Sequence, residues 1–227
     1  MIVFSRNLSR RAKGVAKRRL ASCSSEYRTE SLGNTYDERT RVLYAVGGLY
    51  GNVSALDTLA AVVKKDVEVY GDVTVVFNGD FNFFNVDQIS WQRINREIKQ
   101  DFTERTGSKT FATKGNIEHE VAKEISSSCG CAYPENVDPL VSDRARAIVE
   151  RLRETAHSDQ AADWIIPWLH QLPWSIGLTV HDVPVLLVHG DPDCVNGWSL
   201  AADANTSQSI LEGYFDQTNA SIIACTH

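Results

Sequence analysis

Apolar residues along this chain switch between two spacings, and the switches mark the elements. Val42-Leu43-Tyr44-Ala45-Val46 is a continuous apolar run that ends at Gly47-Gly48. A run without alternation suits a strand covered on both faces. Ser54, Ala55, Leu56, Leu59, Ala60 and Val63 then recur at helical spacing, and Lys64, Lys65 and Asp66 close the segment. Val73 to Phe77 predicts a second buried strand, stopping at Asn78-Gly79-Asp80. A helix is expected from Asp87 to Phe102, with Ile89, Ile94 and Ile98 toward one side. Thr110 to Thr113 predicts a third strand that stops at Gly115-Asn116.

The middle of the chain loses this rhythm. Ser126 to Pro139 reads as loop and holds Cys129, Cys131 and Tyr133. Two helical stretches follow, Leu140 to Ala156 and Ala161 to Leu172, the second carrying Trp164 and Trp168. Ile176 to Val180 and Val183 to Val188 flank His181-Asp182 and read as a hairpin. The second of these strands stops at His189-Gly190-Asp191-Pro192. A short helix from Gln208 to Phe215 leads to a strand, Ala220 to Ala224, ahead of Cys225-Thr226-His227. Strands and helices in this order predict a layered α/β sandwich.

Composition narrows the function classes. The net charge of −6 argues against a nucleic-acid duplex as partner. No apolar run approaches the roughly 20 residues that cross a bilayer, so no membrane span is expected. The five cysteines are an odd number without a secretory signal, which points to free thiols and a cytoplasmic setting. Cys129-Gly130-Cys131 is a C-x-C rather than a C-x-x-C pair, a weak zinc or redox signal. The first 40 residues read as a basic, mobile arm ahead of a domain spanning 41–227. Arg6, Arg10, Arg11, Lys13, Lys17, Arg18 and Arg19 carry its charge. An organellar transit peptide shares that composition, but the plain arm is the favoured reading.

Five predicted strands stop at a polar or glycine-containing tip. In open α/β sheets, ligands bind beyond the carboxyl ends of strands. Asp80, Asn116, His189 and His227 offer there a carboxylate, an amide oxygen and two imidazoles. Such a mixed donor set suits Mn, Fe or Zn better than Ca or Mg.

The ordered series of tips resembles the five blocks of the calcineurin-like metallophosphoesterases. Gly48-Leu49-Tyr50-Gly51-Asn52 resembles the first block, Asn78-Gly79-Asp80 the second and Gly115-Asn116-Ile117-Glu118 the third. Val188-His189-Gly190-Asp191 resembles the fourth and Ala224-Cys225-Thr226-His227 the fifth. The resemblance implies a layered α-β-β-α sandwich with a helical cap over about 126–174. It also implies strands after the fifth block, which would complete the second sheet and which this sequence lacks. Gly48 and Tyr50 stand where the family has two ligands of one metal, Ile117 where it has a histidine, and Cys225 where it has another ligand.

By this resemblance one metal would keep only Asp80 and His227, and the other Asp80, Asn116 and His189 with Cys225 as a thiolate fourth ligand, which favours one ion over an unusual pair. Glu118 or His119 is expected to assist proton transfer, and Tyr50, Asn52 and Asp191 to touch the substrate. The implied activity is hydrolysis of a small phosphomonoester or phosphodiester by metal-activated water. The alternative is an inactive member of the fold that serves as a binding or scaffold module.

Overall fold

The computed structural model of the protein describes residues 2–5, 23–29, 36–126, 128–159, 161–202 and 204–227. A parallel sheet runs in the order β3 (Val42–Val46), β4 (Val73–Asn78), β5 (Lys109–Thr113). A mixed sheet runs β1 (Ile2–Ser5), β8 (Ile222–Cys225), β7 (Val183–Val188), β6 (Ser175–Val180), β2 (Arg39–Thr40). The helices are α1 (Val53–Tyr70), α2 (Gln88–Arg96), α3 (Phe102–Thr106), α4 (Asn116–Ala122), α5 (Pro139–Ala156), α6 (Ile165–Gln171) and α7 (Gln208–Thr218). A π-helical turn, Glu97–Asp101, joins α2 to α3. The protein is therefore mixed α/β, with parallel and antiparallel pairing.

The unalternating strand β4 has a direct cause. Val75 and Phe77 pack with Leu56, Val63, Trp91, Ile94 and Phe102 on its helical side. Val76, on its other face, packs with Leu178, Val185, Leu187 and Ala224 of the mixed sheet. Every residue of β4 is buried, so neither face needs a polar residue. The far face of the mixed sheet, Leu186, Val188, Ile223 and Cys225, is covered by Tyr214 and Phe215 of α7. The stretch expected to form a cap joins the helical side, where Ala145, Val149, Leu152, Ile165 and Leu169 share the core with Val121.

The β6–β7 hairpin turns at His181 and Asp182 with φ of 46° and 68°, the doubly left-handed geometry that suits a tight two-residue hairpin. Ile89 departs from the expected helix face: it is 82% exposed, whereas Trp91, Ile94 and Ile98 are buried. At about 100° per residue, Ile89 points about 140° away from Ile94.

The segment ahead of Arg41 is not simply an arm. Ile2–Ser5 pairs antiparallel with β8, from Ile2 opposite Cys225 to Ser5 opposite Ile222. That pairing covers the β8 edge which the sequence alone leaves open. Tyr27 is buried and its hydroxyl donates to Glu120. Cys23 and Cys194 form a disulfide, which corrects the expectation of free thiols throughout. Disulfides persist in oxidising surroundings, so this bond lends the expected cytoplasmic setting no support. The basic residues from Arg6 to Arg19 lie outside the described residues. Among the described residues, no helix is long and apolar enough to cross a membrane.

Candidate metal centre

Three chain reversals at strand ends meet at one point. After β4, Gly79 and Asp80 both take left-handed backbone, with φ of 77° and 55°. Only glycine serves at 79, because a Cβ there would lie 2.6 Å from His189 Nδ1 and 2.7 Å from Gly115 Cα. After β5, Gly115 caps α4 and delivers Asn116. After β7 comes His189, fully buried.

His189 Nε2 lies 3.1 Å from Asn116 Oδ1 and 3.2 Å from Asp80 Oδ2. Its other nitrogen, Nδ1, lies 2.9 Å from the Asn78 carbonyl and must therefore carry a proton and donate. The orientation of Asn116 is set as well, since its Nδ2 donates to the Cys129 carbonyl at 3.2 Å. Neutral His189 would thus aim a lone pair at two oxygens. The geometry requires an electrophile at Nε2, either a proton or a metal cation. Burial disfavours an imidazolium here, but the neighbouring Asp80 carboxylate outweighs it and holds the His189 pKa above the ordinary histidine value. Burial likewise raises Asp80, and the charge and hydrogen bond of His189 overcome it, leaving that carboxyl below the usual range.

His227 stands beside the triad, its ring 5.1 Å from His189 and 4.3 Å from Trp198. Its Nδ1 is 3.2 Å from the Gly197 carbonyl and donates there, which leaves the lone pair on Nε2. Burial, then the positive charge of His189, push its pKa down to about 4, so it is neutral near pH 7.

The donors fit one transition metal. Ligand atoms about 3 Å apart match metal–ligand bonds of about 2.0–2.2 Å, and the Asn78 carbonyl behind His189 is the supporting contact such ligands use. A second metal does not fit. Gly48 brings no donor, and a Cβ there would lie 2.8 Å from Cε1 of Tyr50, whose ring covers that position.

Other expected residues do different work. Cys225 packs against Leu186, Val188 and Leu200 on the α7 side, and its thiol lies 3.7 Å from the Leu200 carbonyl. Its neighbour Ala224 faces the space between the sheets, so strand alternation turns Cys225 away from the triad. Glu118 accepts from the backbone N–H of Asp80 at 2.7 Å, Asn82 at 3.1 Å and Gly115 at 3.2 Å. It braces the loops that shape the centre rather than facing a substrate. His119 leaves the site altogether, packing between Tyr27 and Trp174 with ring separations of 5.2 Å each.

Asp191 is buried and accepts from the N–H groups of Leu200 at 3.2 Å and Ser199 at 3.3 Å, holding its own loop. Asn52 caps α1 by accepting from Ala55 N–H at 2.9 Å. Tyr50 remains beside the centre, 48% exposed.

Sequence reasoning missed two participants. Cys131, rather than Cys225, is the thiol near the triad, 3.7 Å from Asn116 Nδ2. Asn78 ties the strand ends together, donating to the Val188 carbonyl at 2.6 Å and accepting from Thr113 Oγ1 at 2.8 Å. The strand-final position of Asn78 was a readable signal; nothing local marks Cys131. Glu26, His119 and Glu120 form a second cluster of ligand type. The Lys123 ammonium already bonds both glutamates there and supplies the cation.

No protein-family model matches the chain, and no curated protein matches it. Among solved structures, it is similar to a hypothetical protein of Pyrococcus horikoshii OT3, with 14% identity and a TM-score of 0.44. The likeness covers 78% of this chain and 64% of that one.

Proposed function

We propose that the protein is a metallophosphoesterase-like hydrolase of small phosphoesters, built as an α-β-β-α sandwich and working with a single Mn, Fe or Zn ion. The observation that carries this reading is the convergence of His189 Nε2, Asp80 Oδ2 and Asn116 Oδ1 from three strand ends. A metal held there would supply Lewis acidity, lowering the pKa of a water toward about 7 and drawing in a phosphoryl oxygen. Asp80, Asn116 and His189 would hold the ion, and the His227 ring lies 5.1 Å from that of His189. The Asp80 side chain keeps 10% exposure and His227 is part-exposed, so the centre meets solvent beside both. Lys114 and Lys123 point elsewhere, Lys114 donating to the His170 carbonyl and Lys123 bonding Glu120. A metal held at the centre would supply charge to attract phosphate.

One observation favours the alternative of an inactive binding module: the Tyr50 ring covers the position of the second ion in a two-metal site. A single experiment separates the two. The protein and its Asp80→Ala variant are offered Mn, Fe and Zn, dialysed, analysed for bound metal and assayed on bis(p-nitrophenyl) phosphate. The hydrolase reading expects a tightly held metal and metal-dependent turnover, both absent from the variant. Metal without turnover points to the binding module, and no metal in either protein ends both the centre and the hydrolase.

A further inference from the structure

Large aromatic side chains normally lie in cores, yet three of them gather at the surface beside the centre. Phe84 is 52% and Tyr50 48% exposed, with Phe83 half-buried. The Phe83 and Phe84 rings lie 4.4 Å apart, and Tyr50 is 5.8 Å from Phe83 and 6.2 Å from Phe84. Tyr50 and Phe84 both adopt left-handed backbone, φ 52° and 64°, which bulky residues disfavour.

The surrounding structure holds them there. Gly51 N–H donates to the Phe81 carbonyl at 3.3 Å, and Val86 N–H to the Phe84 carbonyl at 2.9 Å. Beneath the loop is a buried amide network. Asn82 and Asn95 exchange hydrogen bonds at 3.1 and 2.9 Å, and Asn85 donates to Asn82 at 3.1 Å. Glu118 joins the same loop to the centre through Asn82 N–H. Two turns are thus fixed with Tyr50 and Phe84 exposed beside the centre, their rings set edge-on to each other at 88°.

We propose that Tyr50, Phe83 and Phe84 form a stacking platform for a planar ring, aryl or nucleobase, carried by the phosphoester whose phosphate reaches the metal. This rests on the metal-centre reading above and names its substrate class. The Tyr50 ring borders both places: it lies against Gly48, where a Cβ would be 3.1 Å from the Asp80 carbonyl, and against both phenylalanines. Stacking on such faces tolerates different rings, because every base or aryl group presents a π-face.

Calorimetric titration of the Mn-loaded protein with adenosine 5′-monophosphate, ribose 5-phosphate and adenosine tests the platform. The nucleotide is expected to bind on the order of 10-fold tighter than ribose 5-phosphate, and adenosine to bind weakly. Phe84→Ala and Phe84→Leu should both lose that advantage while keeping metal content and ribose 5-phosphate affinity. Phe84 is half exposed, so neither change is expected to unfold the protein. Equal affinity for the nucleotide and ribose 5-phosphate, or an advantage that survives in Phe84→Ala and in Tyr50→Leu, overturns the platform. Failure of the metal reading looks different: ribose 5-phosphate does not bind, yet adenosine still binds in a manner that depends on Phe84.

Discussion

At Gly115 a methyl group would stand 2.6 Å from the Asp80 amide nitrogen and 2.9 Å from Glu118 Oε2. Both atoms belong to the brace that shapes the centre, so neither yields freely. Gly115→Ala is expected to lower stability by about 1–3 kcal/mol and to weaken metal binding with it. Urea unfolding and metal titration check this, and an unchanged midpoint would mean that the loops relax. Glu118 gives a prediction with a sign. Burial, then the Asp80 charge, raise its carboxyl from 4.5 to about 7. The folded state therefore holds that proton more tightly than the unfolded chain does. Its contribution to stability is full below about pH 4.5 and is lost as the pH rises through about 7. Glutamine does not titrate. In metal-free protein, the stability of wild type relative to Glu118→Gln should fall by a few kcal/mol between pH 5 and pH 8. Urea unfolding at both values decides, and a rise instead would mean that the carboxylate is ionised throughout.

Among the elements, the segment around Tyr27 is tied to the loop after β7 by a disulfide and by hydrogen bonds. The disulfide is Cys23–Cys194, and the hydrogen bonds include Val195 N–H to the Tyr27 carbonyl at 3.0 Å and Thr29 N–H to the Asp193 carbonyl at 3.3 Å. The disulfide closes a separation of 171 residues. Its loss through Cys194→Ser is expected to cost about 2–4 kcal/mol, read as a shift in denaturation midpoint under non-reducing conditions. Counting thiols in unfolded, unreduced protein provides a direct check. Three of the five cysteines should react, namely Cys129, Cys131 and Cys225. Reaction of all five would remove the tie. Most of the elements are legible because their signals are local: β4 is an apolar run, α1 a helical period, and β6–β7 a hairpin around His181-Asp182. The short β1 carries no such signal, since four residues become a strand only when an edge receives them.

Over the whole molecule, β1 covers the edge of β8. Deletion of residues 1–5 is expected to expose the β8 backbone and promote association through it. Size-exclusion chromatography at increasing protein concentration measures this, and a monomer at every concentration would show that the edge is protected otherwise. Both the centre and the aromatic turns stand at one end of the parallel sheet, beyond β3, β4 and β5. The rigidity of the buried β4 is what lets residues as far apart in sequence as Asp80 and His189 keep contact at 3.2 Å.

By itself the sequence determined the order of most elements, the mixed α/β class and the candidacy of Asp80, Asn116 and His189. Periodicity and strand-end chemistry are written within a few neighbouring residues. Tertiary structure alone decided the rest. It turned Cys225 toward α7 and brought Cys131 to Asn116. It enlisted Glu118, Asp191 and Asn52 as braces and a cap, and sent His119 to Tyr27 and Trp174. It also laid the Tyr50 ring over Gly48 and joined Cys23 to Cys194. Each of these depends on strand register, loop path or contact between distant segments, and no local pattern of residues encodes where a side chain will meet a partner a hundred positions away.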